Sequence, residues 1–199
     1  MDLQSNLTEK CSSTFAKDYL FRLVKYFEQI DSGNLSALIE ALKETSLAGG
    51  QVYLMGNGGS AASSTHFAND LYCATRNTPY PLKAQSLVDN QSLITALAND
   101  QGFENVFKIQ LESYLQANDL VIALSASGNS TNLVRGIEFA NSIGAKSFSI
   151  VGFDGGLLKE LSSQSIHIKT PVGDYGPVED IHLVINHLIA DYFKALRIH

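Results

Sequence analysis

The stretch QVYLMGNGGSAASSTHFAND, Gln51 to Asp70, decides how the rest of the chain is read. Gln51 to Met55 form a short apolar run of strand type, GNGGS crowds three glycines and a serine into five residues, and the pattern that follows is helical. A strand, a glycine-rich loop and a helix in that order place free backbone N–H groups and the positive end of a helix dipole at the loop. Glycine lets that backbone approach a ligand closely, so the junction is built to receive an anion such as phosphate.

A glycine-rich turn can also be only a tight connection. The chain repeats the device, however. After the apolar run LVIAL, Leu120 to Leu124, comes SASGNS, in which Ser125, Ser127 and Ser130 offer hydroxyls and Gly128 relaxes the backbone before another helical segment. In a sheet ordered 2-1-3-4-5 the first and third strands are neighbours at the switch point, so both loops meet at the carboxyl edge of the sheet. Neither loop matches GxxxxGK[ST], and GNGGS does not match GxGxxG with its later acidic residue, which argues against ATP and NAD. Hydroxyls and amides without a nearby Lys or Arg suit a small phosphosugar.

Working outward, helical spacing predicts a helix over Thr14 to Ile30 and a second over Leu35 to Leu47, capped by Asn34. After QVYLM, strand-like and helix-like segments alternate: LKAQSL, a polar-apolar stretch to Leu115, LVIAL, a helix from about Thr131, KSFSIVGF, SIHIK, and a last helix from about Val178 with Pro177 marking its start. This alternation predicts a doubly wound α/β fold with a mostly parallel sheet covered on both faces. With 199 residues the chain is expected to form one domain, residues 1–199, in which residues about 14–48 are leading helices or an oligomer contact.

A hydrophobic content of 45% and a charged content of 17% are those of a chain that folds compactly. The formal net charge of -6 argues against a nucleic-acid surface, which needs clustered Lys and Arg. The opening MDLQSNLTEKCSS lacks a basic start and apolar run, and no segment approaches the ~20 apolar residues of a membrane span, so a cytoplasmic location is expected. Cys11 and Cys73 lack metal-binding spacing and are read as reduced, half-buried side chains.

His66 and Asp70 stand four residues apart on the helix that GNGGS starts, so they project from one face, about 40° apart around the axis. The last helix carries VEDIHLVINHL, with Glu179, Asp180, His182 and His187. Each of these can be a hydrogen-bonded or dipole-favoured residue by itself. Together, beside a sugar-phosphate site, histidines and carboxylates suit zinc and proton transfer, the requirements of aldose–ketose isomerisation. Helical spacing alone would pair Asp180 with His187.

The segments GNGGSAASSTHFANDL, ALANDQGFENVF, LSASGNSTNLVRGIEFA, GFDGG and VEDIHLVINHL, in this order, resemble the sugar isomerase (SIS) domain of the phosphoheptose isomerases, from about Leu35 to Phe193. The resemblance implies a flavodoxin-like five-stranded parallel sheet, a homotetramer with active sites between subunits, and sedoheptulose 7-phosphate as substrate. It implies phosphate on Ser60, Ser125, Ser127 and Ser130 with the loop backbone at Gly58, Gly59 and Ala126, and sugar contacts from Asn57, Asn99 and Asp100. It further implies zinc on His66, Asp70, Glu179 and His187, with Asp70 and His187 catalytic and Glu179 also facing substrate. Such isomerases feed bacterial surface polysaccharides, including lipopolysaccharide and capsule.

Three positions depart from that pattern: Asp70 stands where the family usually has Glu, Glu179 where it has Gln, and Ala74 near an expected arginine, with Arg76 out of register. The alternatives are an isomerase of a related sugar phosphate, or a non-catalytic tetrameric phosphosugar sensor or protein adaptor of the replication-initiator-associating type. The sensor and adaptor have no need of the four ligand types together.

Overall fold

The structure is a computed structural model that describes residues 12–197; Cys11 and the opening residues before it lie outside the described residues. Two helices, α1 (Ser12–Glu28) and α2 (Ser32–Leu47), precede β1 (Gln51–Gly56) and α3 (Gly59–Thr75). The chain continues through β2 (Lys83–Ser86), α4 (Gln91–Gln101), a turn of 3₁₀ helix (Phe103–Asn105), α5 (Val106–Tyr114), β3 (Leu120–Ser125) and α6 (Thr131–Ser142). It ends with β4 (Lys146–Val151), α7 (Gly156–Leu161), β5 (Gln164–His167) and α8 (Tyr175–Ala195).

All four strand pairings are parallel and the order is β2-β1-β3-β4-β5, the flavodoxin-like arrangement that the alternating segments predict. Because side chains alternate along a strand, the three inner strands β1, β3 and β4 each feed two cores. Val52, Leu54, Leu120, Ile122, Leu124, Phe148 and Ile150 point to the face covered by α2, α3 and α8. Tyr53, Met55, Val121, Ala123 and Val151 point to the face covered by α5, α6 and α7. Strands buried on both sides read as the unbroken apolar runs of the sequence.

The structure corrects several boundaries. α2 starts at Ser32 and is capped by Asp31, whose carboxylate accepts from the Gly33 N–H at 2.8 Å, rather than by Asn34. α8 begins at Tyr175, ahead of Pro177; the proline sits in the first turn, where its missing N–H leaves no intrahelical bond unmade. α7 has only six residues and went unpredicted. Cys73 is a free thiol, exposed rather than half-buried. Among the described residues no helix is long and apolar enough to cross a membrane.

α1 lies against the start of α8 through polar contacts. The Tyr19 hydroxyl donates to Asp180 in a very short bond, Arg22 meets Asp174 at 3.2 Å, and the Tyr26 hydroxyl donates to Asp174 at 3.3 Å. Burial and the Asp180 carboxylate push the Tyr19 phenol up to about 12, so it remains a donor at any working pH.

Candidate active site

The β1–β3 register aligns Gly56 with Leu124, which sets the two loops side by side at the carboxyl edge. Gly58, the N-cap of α3, has φ of 54°, a conformation that disfavours any side chain larger than hydrogen. Gly128 also has positive φ, and a Cβ there would lie 2.0 Å from the Gly155 carbonyl, so only glycine lets the second loop pack on GFDGG. The Ser125 hydroxyl accepts from the Gly128 N–H at 3.0 Å and fixes that loop internally. Asn57 and Asn132 then join the two loops by a reciprocal pair of amide hydrogen bonds, each of 2.9 Å.

Between the loops lies a pocket of about 150 Å³ lined by Asn57, Ser60, Ser125, Ala126, Ser127, Ser130, Tyr175 and Glu179, with Leu124 beneath. Pockets for whole small molecules usually run to ~300 Å³ or more, so this one suits a phosphate head rather than an entire sugar. No lining residue is cationic. What the pocket offers an anion is the α3 N-terminus and a set of hydroxyls.

The second part of the site stands further along α3. His66 follows Ser60 by six residues, which is a rise of roughly 9 Å along the helix axis. His66 Nε2 lies 3.2 Å from Asp70 Oδ2, His187 Nε2 lies 3.8 Å from the same oxygen, and the two Nε2 atoms are 3.4 Å apart. The imidazoles meet edge to face with centroids 5.1 Å apart. Donor atoms on a tetrahedral zinc with bonds of ~2.0–2.1 Å are separated by ~3.3 Å, so these three atoms form a fitting face for that ion. The donor set, two imidazoles and a carboxylate, is the type zinc takes.

Glu179 is not brought into this group. Its carboxylate lies over Gly59, where a Cβ would come within 2.3 Å of both oxygens, and it closes one side of the serine pocket. Asn99 and Asp100 are exposed at the end of α4, where Asn99 donates to Asp100 at 2.7 Å, and neither lines the serine pocket. Asp180 is engaged by Tyr19, so the spacing argument that pairs it with His187 fails. Ala74 is wholly buried in the core and Arg76 is exposed at the C-cap of α3.

Two residues of the site have no counterpart in the sequence reading. Asn132 is buried and completes the amide pair with Asn57. Asn186 is buried on α8 and donates its Nδ2 to Asp70 Oδ2 at 3.0 Å. The only signal for the latter was a polar residue in the apolar series LVINHLI.

The sequence pattern of the SIS domain matches residues 17–152 of this chain, which include strands β1 to β4 of its 2-1-3-4-5 sheet and the two loops that follow β1 and β3. The chain is 37% identical over 175 residues to the phosphoheptose isomerase of Helicobacter pylori strain Shi470, spanning 88% of each chain. It is 34% identical over 181 residues to the phosphoheptose isomerase of Chlorobaculum parvum, covering 89% of this chain and 86% of that one. The structure of phosphoheptose isomerase GmhA from Neisseria gonorrhoeae superposes with a TM-score of 0.81 at 25% identity, covering 98% of this chain and 100% of that one. The chain thus belongs to the phosphoheptose isomerase family of SIS-domain proteins.

Proposed function

We propose that the protein is an aldose–ketose isomerase that converts sedoheptulose 7-phosphate to D-glycero-D-manno-heptose 7-phosphate. The observation that carries this is the convergence of His66, Asp70 and His187, whose donor atoms lie within 4.8 Å of one another on the helix pair that also borders the serine pocket. A phosphosugar sensor or adaptor needs the pocket but not this group.

In this reading the phosphate rests against the start of α3 at Gly58 and Gly59 and receives hydrogen bonds from Ser60, Ser125, Ser127 and Ser130, beside Ala126. Asn57, Asn99 and Asp100 are the proposed sugar contacts. Zinc would be held by His66, Asp70 and His187, while Glu179, which stands at the serine pocket, would face the substrate; the metal would supply Lewis-acid polarisation of a sugar oxygen. After the cyclic sugar opens, the Asp70 carboxylate takes the proton from the carbon beside the carbonyl. His187 moves a proton at the neighbouring oxygens, and the enediol is then reprotonated on the adjacent carbon.

The whole of residues 1–199 is proposed as a single SIS domain with residues 14–48 as leading helices. Assembly into a homotetramer is part of the proposal and is supported by exposed apolar side chains, Leu20, Phe21 and Val24 on α1 and Val184, Leu188 and Tyr192 on α8. A cytoplasmic role in making heptose for lipopolysaccharide or capsule follows from the substrate.

The test is an NMR assay with sedoheptulose 7-phosphate in deuterated water, using zinc-loaded protein and a metal-stripped control. Zinc-dependent aldose formation with deuterium at C2, abolished in Asp70→Ala and His187→Ala, is the expected result. Normal turnover in both variants, or binding without turnover or exchange, would overturn the isomerase reading.

A further inference from the structure

Asn186 is wholly enclosed between α8 and α3, yet it is polar. Its Oδ1 is buried with no hydrogen-bond partner. A buried amide that leaves its carbonyl unpaired is less stable than an apolar side chain of the same shape. Its neighbours along this helix, Ile181, Ile185 and Ile189, show what the packing alone prefers. The hydrogen bond that Asn186 does make goes to Asp70 Oδ2 at 3.0 Å, the same oxygen that faces His66 and His187.

We infer that Asn186 is a positioning residue: its buried N–H group fixes the Asp70 carboxylate so that Oδ2 faces both imidazoles. Asp70 has only two side-chain torsions, and α8 is the element that carries His187. A tether from α8 to Asp70 therefore sets the carboxylate and His187 relative to each other, as well as the carboxylate relative to its own helix. An unheld Asp70 would turn to water at its exposed side. Groups that orient metal-binding carboxylates in this way typically change metal affinity or activity by ~10–100-fold when removed.

This inference rests on the isomerase reading, and zinc affinity measured without substrate separates the two. The experiment compares wild type, Asn186→Leu, Asp70→Asn and the double variant as full-length proteins. Zinc affinity is measured by competition with a chromophoric chelator, kcat and KM with sedoheptulose 7-phosphate, and folding by thermal unfolding. Asn186→Leu is expected to weaken zinc about 10-fold or more and to lower kcat with KM within about twofold. In the Asp70→Asn background the same substitution is expected to add no further loss. Asn186→Gln, which keeps an N–H donor, should retain more zinc affinity than the leucine variant; Asn186→Ala replaces the latter if it does not fold.

Zinc affinity and kcat unchanged in Asn186→Leu, or an equal loss in both backgrounds, would overturn the inference. So would a wild type with neither zinc affinity nor turnover. A wild type that binds zinc but does not turn over the heptose phosphate would remove the activity reading, while the zinc measurements still decide the role of Asn186.

Discussion

The side-chain amides of Asn57 and Asn132 face each other across the carboxyl edge of the sheet and exchange two hydrogen bonds of 2.9 Å. Each supplies one donor and one acceptor, so the pair satisfies itself and ties the loop after β1 to the first turn of α6. The serine pocket has one wall from each loop, and this pair ties the two walls together.

Asn132→Ala would therefore leave the half-buried Asn57 amide without its partner and free the loops to separate. A loss of about 1–3 kcal/mol in stability is expected from the unpaired groups. KM for the sugar phosphate should rise about tenfold, equivalent to about 1.4 kcal/mol of binding, with kcat little changed. Steady-state kinetics beside urea unfolding checks this; an unaltered KM in a destabilised variant would show that the pair serves folding alone.

The Glu179 carboxylate occupies the place over Gly59 where an anion would approach the start of α3. Two like charges there repel, so Glu179→Gln is expected to tighten binding of inorganic phosphate by about fivefold, or about 1 kcal/mol. Titration calorimetry at fixed salt measures it. Equal affinities in the two proteins would mean that the carboxylate already leaves the pocket when phosphate enters.

His182 has no access to solvent, and burial pushes its imidazole down to about 4, the Ile150 backbone beside it offsetting only part of the effect. In the unfolded chain the same group titrates near ~6.5. Between pH 6.5 and 4 the unfolded state holds a proton that the native state refuses, so stability increases with pH through this window and is level from this group above it. The slope reaches ~1.4 kcal/mol per pH unit and totals on the order of 3 kcal/mol. Urea unfolding from pH 4 to 7.5 should show that slope in the wild type and lose it in His182→Leu; parallel profiles would contradict it.

The legible parts of the molecule were those written locally. The run LVIAL is apolar on every residue because both sheet faces are covered, and the glycine-rich loops announce themselves through composition. His66 and Asp70 share a helix, so their proximity follows from spacing. Asn132 and Asn186 were invisible for the opposite reason. The first pairs with a residue 75 positions away, and the second is buried by a helix more than 100 positions distant, so neither role exists until the strands are ordered and α3 meets α8. α8 was misread at its start because a proline suits any position of a helix's first turn, not the first residue alone. Glu179 shows a further limit: the helix places it in the reach of two neighbouring sites, and only coordinates say which one it occupies.

The contacts between α1 and α8 take on another meaning once the cargo of α8 is counted. Glu179 at the serine pocket, Asn186 on Asp70 and His187 beside His66 all ride on one helix. A roll of that rod by about 10° would carry atoms at its ~5 Å rim through about 1 Å, a displacement large enough to disturb proton transfer a hundredfold. Tyr19 and Arg22 line neither the serine pocket nor the His66–Asp70–His187 group, yet their bonds to Asp180 and Asp174 tie α1 to the start of that rod. A helix that contributes nothing to either group is thereby anchored to the one that serves both.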